Sequence, residues 1–306
     1  MSDAGRPKQH HLSVARRIVQ VVALLFFCIP AIMTGLGLFG QFVGVDDKVQ
    51  TASMLPYFGS FSSSTVGGLV IADPFAFLQV VVASKDFSIG WLTASLPVLI
   101  VYGLIRGRAF CGWVCPVNFL LEGVDFLRCK LGLKVREHVI DHRAKMVIAL
   151  AVLVLSAITG VLVFETFSPV SAIGKGLLFG STAGLTVLVA IIVLELFWAR
   201  RIWCRAFCPL GGFYEALGEV GFVSVKMDSS SCIHCDACTE ACLCDSVILK
   251  GVLEEGEARV TSGDCMVCGK CVDVCPADAL SIGIAAPFPK HSQSQCKSEP
   301  AESDAH

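Results

Sequence analysis

The residues whose spacing most constrains the chemistry are the cysteines between positions 232 and 275. Cys232, Cys235, Cys238 and Cys242 follow C-x2-C-x2-C-x3-C, and Cys265, Cys268, Cys271 and Cys275 repeat it, with Pro276 completing the second copy. Paired runs of this kind hold two [4Fe–4S] clusters: three close thiolates wrap one cubane and the fourth reaches across to the other. The spacing assigns Cys232, Cys235, Cys238 and Cys275 to one cluster, and Cys265, Cys268, Cys271 and Cys242 to the second. Zinc sites more often show two C-x2-C pairs. In the first copy Leu243 stands where a proline would follow Cys242, and Cys244 comes next. That alters a turn but removes no ligand.

A second pattern occurs twice upstream, as CGWVCP (111–116) and CRAFCP (204–209). Each proline suits the first position of a helix, and the cysteine before it is biased away from helical geometry. Each motif therefore reads as a turn followed by a short amphipathic helix. Three readings of Cys111, Cys115, Cys204 and Cys208 stand side by side: a third metal centre, a thiol–disulfide relay, or small side chains packed at a junction. No role is assigned to Cys129, Cys244 or Cys296, and Cys28 reads as a buried inert thiol.

Other chemistries are missing. None of the seven histidines lies in an apolar run, and no C-x-x-C-H occurs, so neither a bis-histidine haem nor a covalent haem is expected. No phosphate-binding loop and no convincing dinucleotide fingerprint is present. His138 and His142 read as a solvated helix face. Among the acids near apolar segments, Glu165 is the first candidate for proton transfer, ahead of Glu195 and Asp73. The competing reading is a carboxylate paired with arginine.

These residues need a frame. Of 306 residues, 54% are hydrophobic and 16% charged, with mean hydropathy +0.70. Soluble chains are about 25% charged. The balance excludes disorder and suggests a membrane protein with a cysteine-rich soluble part. A net charge of −2 makes no electrostatic case for nucleic acid. Four apolar runs, 18–39, 89–105, 146–164 and 181–198, are each close to the about 20 residues that cross a bilayer as a helix. Lysine and arginine cluster before the first, between the second and third, and after the fourth. That bias predicts that both termini are cytoplasmic. The stretch 69–83, broken by Asp73 and Pro74, reads as re-entrant or interfacial, and Trp91, Trp113, Trp198 and Trp203 read as an aromatic belt. The first run is too long for a signal peptide and lacks a cleavage site.

The chain also repeats itself. Thr93, Arg108, Cys111, Cys115, Pro116 and Glu122 match Thr186, Arg201, Cys204, Cys208, Pro209 and Glu215 at a constant offset of 93. The expected fold is an α-helical integral membrane protein of four transmembrane helices in two repeated hairpins. A C-terminal α+β two-cluster ferredoxin-like domain follows, with strands at 246–251 and 279–285. The expected divisions are a cytoplasmic segment 1–17, a membrane domain 18–220, a ferredoxin domain 221–286 and a disordered tail 287–306.

Four apolar helices, two CxxxCP motifs and a C-terminal pair of ferredoxin runs resemble NapH, the ferredoxin-type membrane component of quinol dehydrogenases serving periplasmic nitrate reductase. The resemblance covers residues 14–285 and is carried most specifically by FSSSTVGGLVIADP, FCGWVCPVN, SAITGVLVFETFSPVSAIGKGLLFG and WCRAFCPLGGFYEALG. The membrane half of NosR, MauN and CcoG share its CxxxCP and ferredoxin parts. Arg205-Ala206-Phe207, where Gly-His is common, and Leu243 in place of proline depart from the NapH pattern. Residues 40–88 are too few for the flavin-binding region of NosR. The resemblance implies an inner-membrane electron-transfer subunit that takes electrons from menaquinol or ubiquinol and is not an enzyme on its own. Its implied partners are a NapG-like periplasmic iron–sulfur protein and a NapC-type cytochrome. The rival functions are assembly or maturation, as for MauN or CcoG, and redox sensing.

Overall fold

The computed structural model describes residues 11–42, 57–59, 63–66, 69–87, 89–132, 143–173 and 182–284. The expectations for a polar tail from 287, for His138 and His142, for the side chain of Cys28 and for Cys296 lie outside the described residues. The longer helices are α1 (His11–Phe42), α2 (Pro74–Ser84), α3 (Ile89–Ile105), α5 (Pro116–Lys130), α6 (Arg143–Thr159), α8 (Thr182–Phe197) and α9 (Pro209–Gly218). Short turns α4 (Ala109–Trp113) and α7 (Val163–Phe167) lie between them.

The expectation of four transmembrane helices is overturned. Among the described residues, no helix is long and apolar enough to cross a membrane. Helices α3 and α6 have 17 residues each and α8 has 16. At about 1.5 Å per residue they reach roughly 25 Å, short of about 30 Å of hydrocarbon. Local breaks set these lengths. The apolar run 146–164 stops at Gly160, whose φ of 68° ends α6, and restarts as α7. Helix α3 stops where Arg106 turns inward, and α1 carries fully buried Arg16 and Gln20.

The stretch 69–83 forms a strand and a helix. Strand β3 (Leu69–Ala72) closes a three-stranded antiparallel sheet with β1 (Tyr57–Gly59) and β2 (Ser63–Val66), and α2 follows directly. Asp73 caps α2 by accepting the Ala76 N–H at 3.3 Å, with Pro74 at the first helical position. Its other oxygen accepts the Tyr214 hydroxyl at 3.2 Å, joining α2 to α9.

The ferredoxin part has one pair of strands, β4 (Val223–Met227) and β5 (Leu280–Ile284), antiparallel with Val225 opposite Ile282. The strand expected at 246–251 is absent. Asp245 accepts the Val247 N–H at 3.2 Å and caps a 3-10 turn, Ser246–Leu249, which continues into α11 (Lys250–Leu253). The partner of β5 comes instead from VSVKM, ahead of the first cysteine run. Helices α10 (Ala237–Ala241) and α12 (Lys270–Val274) each carry a cysteine of one run.

This part is bolted to the rest. Arg106 donates to the carbonyls of Val223, Val260 and Thr261 at 3.2, 3.2 and 2.9 Å. Asp273 accepts the Leu12 and Ser13 N–H groups at 3.4 and 2.8 Å, an acid placed at the positive end of α1. Asp264 receives both Arg108 and Lys145, all three buried, and Lys145 also pairs with Glu215 at 3.2 Å.

Two outcomes follow. Removing one member of a buried charge network leaves uncompensated charge. Asp264→Ala is therefore expected to cost about 3–5 kcal/mol in urea unfolding, with Lys226→Ala on β4 as a near-neutral control. Burial is the main cause that raises the Asp73 carboxyl from 3.8 to about 7, with Glu165 adding to it and the Tyr214 bond opposing it. The folded state therefore holds this proton more tightly than the unfolded chain does. Its contribution to stability is full below pH 4 and is lost as pH rises to about 7. The fall in unfolding free energy over that window should flatten in Asp73→Asn.

Candidate iron–sulfur sites

Cys232, Cys235, Cys238 and Cys275 line one internal cavity, walled by Met227, Leu253 and Leu280. They are the four that spacing groups into one cluster, and Cys275 arrives from the second run across the repeat. The loops are shaped for a bulky anion. His234 and Asp236 flank Cys235 with φ of 51° and 56°, while Val267 and Gly269 flank Cys268 with φ of 48° and 76°. The same two left-handed positions thus recur 33 residues apart in both runs. Each non-glycine residue there costs of order 1–3 kcal/mol. Turns of this kind direct successive N–H groups into a concavity that suits iron–sulfur clusters.

Around the second set, Cys271 lies within electrostatic range of Cys265, Cys268 and Cys238, and Cys242 lies within range of Cys268. Burial and this mutual repulsion push the Cys271 thiol well up. Among the described residues, no three His, Cys, Asp or Glu side chains converge closely enough to hold a single metal ion. The corner irons of a cubane hold their thiolates further apart than one ion does. Four sulfurs lining one cavity suit the larger group.

The CxxxCP motifs come together as one site. Cys111, Cys115, Cys204 and Cys208 line a single cavity with Arg108 and Asn118, closed over by Phe164, Pro169 and Val170. Cys115 (φ −60°, ψ 121°) and Cys208 (φ −80°, ψ 107°) are extended, and the following prolines open α5 and α9. The repeat supplies the clasps. Arg108 donates to the Cys204 carbonyl at 2.9 Å and hydrogen-bonds the Cys111 thiol. Its match Arg201 reaches back to Asn118 and Asp125 on α5. Glu195 accepts the N–H groups of Arg201 and Trp203 and so anchors the second motif. Glu165 accepts the Ser171 hydroxyl and does not line the cysteine cavity.

Burial drives the Cys115 and Cys208 thiols up to about 12, and raises Cys111 and Cys204 as well. A relay needs a thiolate at neutral pH, so these four are poor exchange nucleophiles. Arg108, paired with Asp264, also lines the cavity of these four sulfurs, so positive charge stands where thiolates would gather. Assembly of a metal centre there must displace protons. Metal-free protein should therefore resist alkylation at these four cysteines at pH 8, where unfolded protein reacts. Mass spectrometry after a timed iodoacetamide pulse reads the difference.

The two cysteine regions share one core. Cys111, Cys204, Cys244 and Met266 are buried together, with Cys115, Cys208, Cys242 and Cys268 packed against them. A Cβ on Gly112 would lie 2.9 Å from the Met266 carbonyl oxygen and 3.7 Å from the Cys268 Cβ. Trp113, read from sequence as part of an aromatic belt, donates its indole N–H to the Val267 carbonyl at 3.0 Å. Cys244 hydrogen-bonds Cys242, a contact that sequence reading did not assign. The repeated arginine one turn before each motif was the visible signal for Arg108; nothing local marked Asp264 or Lys145.

Comparison with known proteins agrees with this chemistry. A family described as "4Fe-4S binding domain" matches residues 87–134 and 181–227, the two CxxxCP regions, and another of that description matches 258–281. The methylamine utilization ferredoxin-type protein MauN of Paracoccus denitrificans is 36% identical over 207 residues, covering 67% of this chain and 73% of that protein. The ferredoxin-type protein NapH of Escherichia coli is 32% identical over 207 residues, covering 67% and 72%. The putative electron transport protein YccM of Escherichia coli is 28% identical over 158 residues, covering 48% and 44%. No solved structure matches. The chain belongs to the family of ferredoxin-type iron–sulfur electron-transfer proteins that includes NapH and MauN.

Proposed function

We propose that this chain carries electrons from a quinol to a partner redox protein through three adjacent iron–sulfur centres. Cys232, Cys235, Cys238 and Cys275 would hold one [4Fe–4S] cluster. Cys265, Cys268, Cys271 and Cys242 would hold the second, and Cys111, Cys115, Cys204 and Cys208 the third. When bound, such clusters supply one-electron steps at potentials set by charge and hydrogen bonding around them. The chain's own part is to fix their spacing and charge. Arg108 and Lys145 place positive charge between the third site and the second, and Gly112 lets the two loops touch. That contiguity is the observation that carries the reading, because electron transfer requires near neighbours and metal storage does not.

The relatives named NapH favour an acceptor of the NapG type, with a NapC-type cytochrome and a periplasmic reductase further along. A quinol donor would place the work at the bacterial inner membrane. The relatives named for methylamine utilization support a second reading, in which the same centres serve maturation of a client enzyme.

Anaerobic protein should contain about twelve irons for three cubanes, and the variant with Ser at 111, 115, 204 and 208 about eight. Unchanged iron in that variant would remove the third centre. Paramagnetic resonance after addition of menadiol should show cluster reduction. Full-length protein that stays oxidised, both alone and with its NapG-like partner, would sink the quinol reading and favour maturation.

A further inference from the structure

The ferredoxin part carries one cysteine more than its two runs require, and the fold sets it among the ligands. After Cys275 in the second run comes Pro276, which is exposed. After Cys242 in the first run come Leu243 and Cys244, 1% and 4% exposed, so the chain there continues inward. Two arginines at the second CxxxCP motif fix this turn. Arg200 donates to the Cys242 carbonyl at 3.4 Å, and Arg205 pairs with Asp245 at 2.6 Å.

A buried cysteine is by default a small apolar side chain. Cys244 has a different setting. Its thiol and that of Cys242 are hydrogen-bonded to each other. Cys244 lies within electrostatic range of Cys265 and Cys268, and Cys242 within range of Cys268. Arg108, Lys145 and Asp264 also stand within range of Cys244. That surround is net positive and suits a thiolate, the form in which cysteine binds metal. A cubane has four corners to fill. Cys265, Cys268 and Cys271 supply three, and both Cys242 and Cys244 stand beside the fourth.

We propose that Cys244 is a second, exchangeable ligand for the iron of the second cluster that Cys242 holds. The inference rests on the iron–sulfur reading above. In the exchange the iron–sulfur bond to Cys242 breaks and one to Cys244 forms. The Cys244 thiol proton passes to the departing Cys242 sulfur along the hydrogen bond between them, and no electron is gained or lost. The exchange puts a ligand sulfur in the core shared with Cys111 and Cys204, on the side of the CxxxCP site.

The test is the iron content of anaerobic full-length variants. Each is read as a difference from wild type, which makes it independent of how many clusters the wild type holds. Cys242→Ala and Cys244→Ala should each keep the wild-type iron. The variant with both substitutions should lose between about one iron and the about four of a whole cubane. Reduced Cys242→Ala should give a cluster resonance at altered g-values, because a different sulfur ligates. Loss of iron in either single variant, with the other unaffected, would make one cysteine the sole ligand and overturn the exchange. Full iron in the double variant would also overturn it, since neither sulfur would be needed. Should Cys242→Ala fail to fold, Cys242→Ser takes its place. Adding Cys244→Ala to it should lower the iron or change the resonance, and no change would overturn the proposal. Wild-type protein without iron would instead defeat the iron–sulfur reading itself.

Discussion

Asp264 is the carboxylate on which the arrangement depends. It takes Arg108 from the first repeat and Lys145 from α6, and it immediately precedes Cys265. Two buried cations facing one acid would be costly without further partners. The surplus is met by Glu215 on Lys145, and on Arg108 by the Cys204 carbonyl and the Cys111 thiol. One buried network therefore fixes the second cluster loop, both CxxxCP motifs and α6 against each other. Buried ion groups are weak sources of net stability but strong determinants of which parts meet. Here the parts that meet are those holding sulfur.

How much of this was legible in the sequence varied with the range of the interaction. The spacing of Cys232, Cys235, Cys238 and Cys275 was legible, and the fold brings those four to one cavity. The CxxxCP turns were also local: proline at the first helical position and an extended cysteine before it follow from backbone sterics. The frame was harder to read. Apolar runs read as spans because hydropathy registers how apolar a run is and not where its helix ends. Gly160 and the inward turn of Arg106 decided their lengths. The strand expected at 246–251 lost to the Asp245 cap, a competition between a side-chain acceptor and a ladder that composition does not reveal. Asp264 finds Arg108 and Lys145 across 156 and 119 residues, beyond any local pattern.

The internal repeat was visible as matched residues, and the structure shows what the matching does. Arg108 and Arg201 each cross to the other motif, so neither cysteine pair is positioned by its own half alone. Glu122 and Glu215 each pair with a cation from a neighbouring helix, Arg16 on α1 and Lys145 on α6. The halves differ in what lies outside them. Gly212 brings α6 into contact, whereas the matching position in the first repeat holds Phe119. Duplication thus produced two matched cysteine pairs lining one cavity within an asymmetric surround.

His234, Asp236 and Val267 hold backbone conformations that their side chains disfavour. On the reading proposed above, a cubane with four thiolate bonds would return that cost. The loop containing Val267 begins at Cys265, adjacent to Asp264. On that reading, cluster loading and the hold of Asp264 on Arg108 and Lys145 are linked, so iron supply bears on how firmly these parts are held together as well as on conduction.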